Sequence, residues 1–414
     1  MQFVVVPTLR WYSVRMVICV VWDAEYPWDV RIEKLSQALT RAGHEIHILA
    51  RNRNGRAQRE VLPEGTVHRL SARPWLGRRL NAASMFPVFF NPRWALLIRR
   101  TVAAERADLV ICRDLPLAPT SIRVARRRRI PVILDMAENY PAMIRKMWTD
   151  GQPGSMDWLI RNPRAVAAVE RWVLRRVDHT FVVVEESLDR LVGLGVDPRS
   201  ITIVSNTPPK EIDPPSTGWR PAREDGTIDA VYLGMLDTRA RGLRVLLHGV
   251  AGARSAGIPL RLSILGEGKG RPALERIARE LGLADDVVTF RGWVPNQEAQ
   301  RELQRYDVGI VPHIADDHCN TTIPNKLFDY MAAGLAVGAT DAGPLRRIVT
   351  GTVCGRIYRG DDPEDFVRAM IELRDAERRV EAGRAGQRAV DQRYNWDHDA
   401  RRLVEAIQRV GGSS

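Results

Sequence analysis

Asn320–Gly338 reads NTTIPNKLFDYMAAGLAVG, and the rest of the chain is organised around it. Pro324 is excluded from a helix interior but fits a helix start. From Asn325 onward Leu327, Phe328, Met331 and Ala332 are apolar at helical spacing, and Gly334 stops the run. Leu335-Ala336-Val337 then opens a short buried strand. The stretch is therefore a loop, a helix and a strand, with polar groups gathered at the amino end of the helix. First-turn amides there carry partial positive charge and favour a phosphate, and Lys326 adds a full charge. Asp329, one turn further in, is placed to accept both hydroxyls of a ribose. The plainer reading of the same residues is a solvated helix start with an ordinary surface Lys and Asp.

A chain of 414 residues implies two domains, and 45% hydrophobic content supplies two cores. Cys19, Cys112, Cys319 and Cys354 lie far apart with no C-x-x-C spacing, which points to reduced, buried thiols and a cytosolic setting. No apolar run reaches the roughly 18 residues a membrane-crossing helix needs. The opening MQFVVVPTLRWYSVRMVICVV is broken by Pro7, Arg10 and Arg15 and lacks a small-residue cleavage site, so no signal peptide is expected. Residues 1–15 read as a loose extension before the first strand.

Charge is uneven. Residues 1–220 hold 34 Lys and Arg against 22 Asp and Glu, whereas 221–414 hold 28 of each. Within 51–100 the ratio is 11 to 2, which points to an anionic partner on one face of the first domain. The densest part, RPWLGRRLNAASMFPVFFNPRWALLIRR (73–100), sets Trp75 just before the pair Arg78-Arg79, and Phe86, Phe89, Phe90 and Trp94 between that pair and Arg99-Arg100. Aromatics among arginines suit an interface with anionic lipid headgroups. The alternative is a helical hairpin whose apolar side belongs to the domain core. Nucleic acid would also explain the charge, but it would leave the motifs described next without a role.

Met16–Trp22 is a continuous apolar run of the kind buried on both faces, and Asp29–Gly43 is an amphipathic helix leading to a strand at 45–50. His44 and His47 read as structural. Further strands are expected at 108–112, 131–134, 179–184 and 201–204, with helices between. Two motifs follow strand ends: Arg113-Asp114-Leu115-Pro116, and Asp135-Met136-Ala137-Glu138-Asn139-Tyr140-Pro141. Ligands bind at the carboxyl ends of strands in open α/β sheets, which makes Asp114, Asp135 and Glu138 candidates for chemistry. Asn139, Tyr140 and Pro141 read as a fixed loop. A proline-rich linker spans 206–226, and strand–helix alternation resumes at 227. Strands 228–233 and 259–265 run into Gly234 and into Gly266-Glu267-Gly268, turns that let backbone approach a ligand; Arg239 and Arg241 follow the first. Phe290-Arg291-Gly292-Trp293-Val294-Pro295 comes next.

This order resembles the family 4 retaining glycosyltransferases, which have two Rossmann-like domains facing across a cleft (the GT-B architecture). PNKLFDYMAAG is close to a common family form PNKLFEYLAAG. Arg113–Pro116 and Asp135–Pro141 are similar to its HDLP and DxHExYP segments, and Asn395-Trp396 resembles a tail motif that crosses back to the first domain. The resemblance implies an acceptor-binding domain at 16–205, a nucleotide-sugar domain at 227–385 and a tail at 386–414 that returns to the first domain. It implies transfer from a nucleotide sugar, usually a uridine one, to a lipid-linked or membrane-proximal glycan. The enzyme would sit in the cytoplasm against the inner face of the membrane. The donor site would comprise Gly234, Arg241, Gly266, Glu267, Trp293, Val294, Thr321, Thr322, Pro324, Asn325, Lys326 and Asp329, and no metal or other cofactor would be needed.

Some positions depart from the family. It often has two glutamates eight residues apart where this chain has Thr321 and Asp329, and an arginine where this chain has Met235. Diphosphate neutralisation would then fall to Arg241 and Lys326. Arg113 stands where the family often has His. The cluster His313, Asp316, Asp317, His318, Cys319 offers metal-binding side chains, but its spacing matches no standard site. The competing readings are a sugar-nucleotide epimerase or hydrolase of the same architecture and a non-catalytic scaffold that keeps the fold.

Overall fold

The computed structural model describes residues 15–27, 29–71, 89–150, 162–210, 223–237 and 241–412. Arg78 and Arg79 with most of the basic aromatic stretch, most of the expected linker, residues 1–14 and Arg239 lie outside these. The first sheet contains β1 (Val17–Glu25), β2 (Glu45–Asn52), β3 (Arg59–Leu62), β4 (Gly65–Ser71), β5 (Leu109–Arg113), β6 (Val132–Met136), β7 (His179–Val182) and β8 (Ile201–Ile203). Their order is β3-β4-β2-β1-β5-β6-β7-β8, parallel throughout except for the β3–β4 hairpin. That hairpin was not foreseen: β3 is only four residues long and half polar, although Pro63 and Gly65 mark the turn between the strands.

Among the described residues the helices of this half are α1 (Val30–Arg41), α2 (Pro92–Ala104), α3 (Ala118–Arg126), α4 (Tyr140–Asp150), α5 (Pro163–Leu174) and α6 (Glu185–Gly193). Asp29, Asn91 and Asn162 cap α1, α2 and α5 by accepting from first-turn amides. α4 corrects the fixed loop expected at Asn139–Pro141. Pro141 falls in the first turn, where its missing N–H costs nothing. A second correction concerns Trp94, expected to meet lipid. It is fully buried in the core with Ile98 and Val102 of α2, and Phe89 packs partly against the same cluster. The amphipathic period of α2 turns its arginines outward and its tryptophan inward.

The second sheet contains β9 (Ile228–Leu233), β10 (Leu260–Leu265), β11 (Val288–Gly292), β12 (Val308–Val311), β13 (Ala336–Thr340) and β14 (Gly355–Tyr358), all parallel, in the order β11-β10-β9-β12-β13-β14. Around it stand α7 (Leu243–Ser255), α8 (Arg271–Glu280), α9 (Asn296–Leu303), α10 (Lys326–Ala332), α11 (Gly343–Thr352), α12 (Pro363–Glu372) and α13 (Ala376–Gln392). The strand order reverses between β9 and β12, and α10 lies at that switch point. The last helix, α14 (Trp396–Gly411), returns to the first sheet. Its Trp396, Leu403, Val404 and Ile407 share a core with Ile18, Val20, Ile32 and Leu35. The crossover is tied down by the Trp396 amide donating to Pro208 O (2.8 Å) and by Asp399, which accepts from the Ser205 amide and the Thr207 hydroxyl. No helix among the described residues is long and apolar enough to cross a membrane.

Candidate active site

The second-domain wall is built from Tyr330 outward. Its hydroxyl accepts from the Leu233 amide (2.8 Å) at the end of β9 and donates to Ile310 O (3.4 Å) on β12. Gly309 makes room, because a Cβ there would sit 2.2 Å from the Tyr330 ring. Four residues earlier on the same face of α10, Lys326 is delivered to the carboxyl end of β9. Its ammonium is 3.7 Å from the centre of the Tyr232 ring and has no hydrogen-bond partner among the described residues. Burial, and then the charge of Arg241, push this amine well below the usual lysine range, with Asp329 opposing. Arg241 Nη1 lies 3.3 Å from His313 Nε2. His313 is itself buried, its Nδ1 has no partner among the described residues, and burial followed by Lys326 and Arg241 pushes it well below the usual histidine range. α10 has only seven residues, so the attraction for an anion rests on these side chains more than on a helix dipole.

Gly234 and Gly266 close the ends of β9 and β10 with positive φ of 140° and 149°. A Cβ on Gly266 would meet Gly234 O at 1.9 Å, so the two turns lie against each other. Glu267 is ion-paired with Arg271, Val294 packs on the core, and Trp293 is 66% exposed. Asp329 accepts from Gln300 Nε2 (3.3 Å). Burial pushes its carboxyl up to about 6, against Lys326 and against Lys34 of the first domain.

On the first-domain wall the three candidate carboxylates separate. Asp135 is fully buried and both of its oxygens accept from Arg31 Nε (3.0 and 2.9 Å), with Arg113 Nη1 at 3.3 Å. Burial alone would raise this carboxyl, but Arg31 and Arg113 outweigh it and hold it low. Asp114 sits at φ +61°, is buried, and accepts from the Ala137 amide (3.2 Å); burial pushes it up to about 6. Glu138 alone of the three lines the interdomain cavity. Burial raises its carboxyl, with Arg113 and Arg241 opposing. Its Oε2 lies 3.2 Å from His318 Nε2 of the second domain.

The cavity holds about 660 Å³ and draws Glu138, Met143 and Met147 from one side, and Arg241, His313, Thr322, Pro324 and Asn325 from the other. Around its rim the domains are joined. Arg145 pairs with Asp317 (2.6 Å), Lys146 with Asp316, and Arg347 with Glu185 and Glu186. The acidic part of the metal-like cluster is thus engaged by α4. Thr321 faces the first domain: its hydroxyl accepts from Asn139 Nδ2 (2.9 Å) and its carbonyl accepts from Ser187. Reading by sequence placed His313 only in a metal-like cluster and missed the α4 residues Met143, Lys146 and Met147. His313 lies just past a strand end, a usable signal; the α4 residues became visible only once that helix was known.

Residues 29–207 match the "Glycosyl transferase 4-like domain" family and residues 227–375 the "Glycosyl transferases group 1" family. The 2-deoxystreptamine glucosyltransferase of Streptomyces kanamyceticus is 26% identical over 274 residues, 63% of this chain and 68% of that protein. The D-inositol 3-phosphate glycosyltransferase of Corynebacterium urealyticum is 27% identical over 307 residues, 64% and 70% of the two chains. Sucrose-phosphate synthase from Thermosynechococcus elongatus superposes with a TM-score of 0.77 at 18% identity, covering 97% of this chain and all of that one. At that identity the likeness is one of fold.

Proposed function

Because the chain belongs to the family 4 glycosyltransferases, enzymes of GT-B architecture, we propose that it moves a sugar from a uridine diphosphate donor to a hydroxyl of a lipid-linked glycan, retaining anomeric configuration. The observation that carries this reading is the buried Lys326 amine, which has no hydrogen-bond partner among the described residues and lies within reach of the charge of Arg241, while Arg241 and Glu138 line the same interdomain cavity. Two neighbouring basic side chains with no ion-paired carboxylate among the described residues form a site for a dianion. A leaving nucleoside diphosphate is such an ion, and these residues neutralise its growing charge without a metal in the step.

In this mechanism the Gly234 and Gly266 turns let backbone approach the diphosphate, Thr322 and Asn325 line its path, and Asp329 holds the ribose hydroxyls. The acceptor hydroxyl arrives on the face from which the phosphate departs and is oriented by Glu138. Its raised carboxyl suits a group that accepts a hydrogen bond and hands a proton on. Asp135 and Asp114 act through others: the Arg31–Asp135–Arg113 lattice holds the strand ends that carry Glu138. Thr321, engaged with Asn139, links the donor loop to the acceptor wall.

We also propose that the first domain docks on anionic lipid. In support, Phe90 is 40% exposed with the Arg123 guanidinium 5.4 Å from its ring centre, Arg176 stands over Trp172 at 4.4 Å, and Arg99 and Arg100 are exposed.

The test is to supply radiolabelled uridine diphosphate sugars with and without a lipid-linked acceptor. Label moving into the lipid phase, with the anomer read by NMR, supports transfer with retention. Free sugar alone would indicate a hydrolase, and binding without turnover a scaffold. Failure to bind any nucleoside diphosphate would overturn the reading.

A further inference from the structure

Away from the cleft, near the amino end of β2 and midway along β4, two histidines and a glutamate converge. Leu49 of β2 belongs to the core covered by α2, and His68 is its register partner on β4; His47, two residues before Leu49, shares that face. His47 Nδ1 lies 3.0 Å from His68 Nε2, with the rings tilted by 43°. Glu105 caps the carboxyl end of α2, and its Oε1 lies 3.9 Å from His68 Nε2. One donor atom from each of the three falls within 4.8 Å of the others.

We propose that His47, His68 and Glu105 form a binding site for a divalent ion of the zinc class, pinning β2 and β4 to the end of α2. The donor set is the nitrogen and carboxylate chemistry such ions select. Two ligands at the usual zinc distance on a tetrahedral centre stand about 3.3 Å apart, so the imidazoles need to separate by only a few tenths of an ångström. Glu45 supplies the supporting contact. Its Oε1 is 3.3 Å from His47 Nε2, and a proton held there leaves the Nδ1 lone pair aimed at His68. The end of α2 adds the partial negative charge of its free carbonyls. His47 is 2% exposed, whereas His68 and Glu105 are 14% and 25% exposed, so the ion has an open rim to enter by. A hydrogen bond between the imidazoles explains their own contact but gives no role to the convergence of Glu105 on both rings.

The experiment is calorimetric titration of zinc into the untagged, chelator-treated full chain, followed by thermal melts. One equivalent should bind and raise the melting temperature. Loss of an outer partner alone commonly weakens a metal site 10–100-fold, so His68→Gln and Glu105→Gln should each weaken zinc by about a hundredfold or more. Both side chains are partly exposed, and far-UV circular dichroism should confirm that the variants fold. His318→Gln, which alters the cleft, should leave the titration unchanged. Absence of binding by the wild-type chain would overturn the proposal. So would binding that survives His68→Gln and Glu105→Gln, or binding that disappears with His318→Gln. None of these outcomes bears on glycosyl transfer.

Discussion

Replacing Lys326 by Met should move stability and nucleotide binding in opposite directions. The ammonium is 7% exposed, meets Tyr232 only through its ring face, and has Arg241 as a like-charged neighbour. A buried polar group left unsatisfied costs about 1–3 kcal/mol, and a cation–π contact returns about 0.5–2 kcal/mol of that. Met fills the same space without the charge, so the ligand-free protein should gain about 1 kcal/mol, or roughly 1 °C in melting temperature for a chain of 414 residues. A diphosphate contact made by this ammonium contributes about 1.5–3 kcal/mol, so the dissociation constant for uridine diphosphate should rise about ten- to 150-fold. The pH dependence has a definite sign. The native protein holds the Lys326 proton less tightly than the unfolded chain does. Stability from this group is therefore lowest where both forms are charged, and it rises as pH climbs from the folded value towards the ordinary lysine value. The Met variant should lack that rise. Scanning fluorimetry across pH and calorimetry with uridine diphosphate measure both effects. A variant that melts lower than wild type and binds the nucleotide equally well would refute the assignment.

Three further outcomes are expected. Asp329, pushed up to about 6, should make nucleotide affinity climb as pH rises from about 5 to 7, because the ribose hydroxyls donate to the ionised form; Asp329→Asn should bind weakly with a flat profile. Glu138→Gln should lower transfer about 10²–10⁴-fold while calorimetry with uridine diphosphate stays unchanged, and near wild-type turnover would place the acceptor elsewhere. Arg99→Gln with Arg100→Gln should weaken binding to anionic vesicles about thirtyfold, at about 1 kcal/mol per charge. Trp94→Ala, by contrast, should cost about 3–5 kcal/mol of stability and leave vesicle affinity unaltered in whatever fraction stays folded.

The sequence alone determined the class of fold and the location of the donor loop. Apolar runs buried on both faces, alternating with amphipathic helices stopped by glycine, admit little besides parallel sheets, because burial and backbone hydrogen bonding act over spans of about ten residues. The same locality made PNKLFDYMAAG legible, since Lys326, Asp329 and Tyr330 lie within two turns of one helix. The β3–β4 hairpin and α4 escaped because their local signals are weak: β3 offers only the adjacent Val61 and Leu62 after Arg59 and Glu60, and α4 starts on a Tyr-Pro pair. Only the tertiary structure decided among the first-domain carboxylates. Asp114, Asp135 and Glu138 look alike as residues past strand ends. Yet Arg31, more than a hundred positions earlier, takes both oxygens of Asp135, the Ala137 amide takes Asp114, and Glu138 is left facing His318 from the other domain. Trp94 was settled in the same way, by which side of α2 the core happened to cover. Charge and periodicity are properties of neighbours along the chain. Which carboxylate is neutralised and which stays open depends on partners brought from far away in sequence, and only the packed fold supplies those.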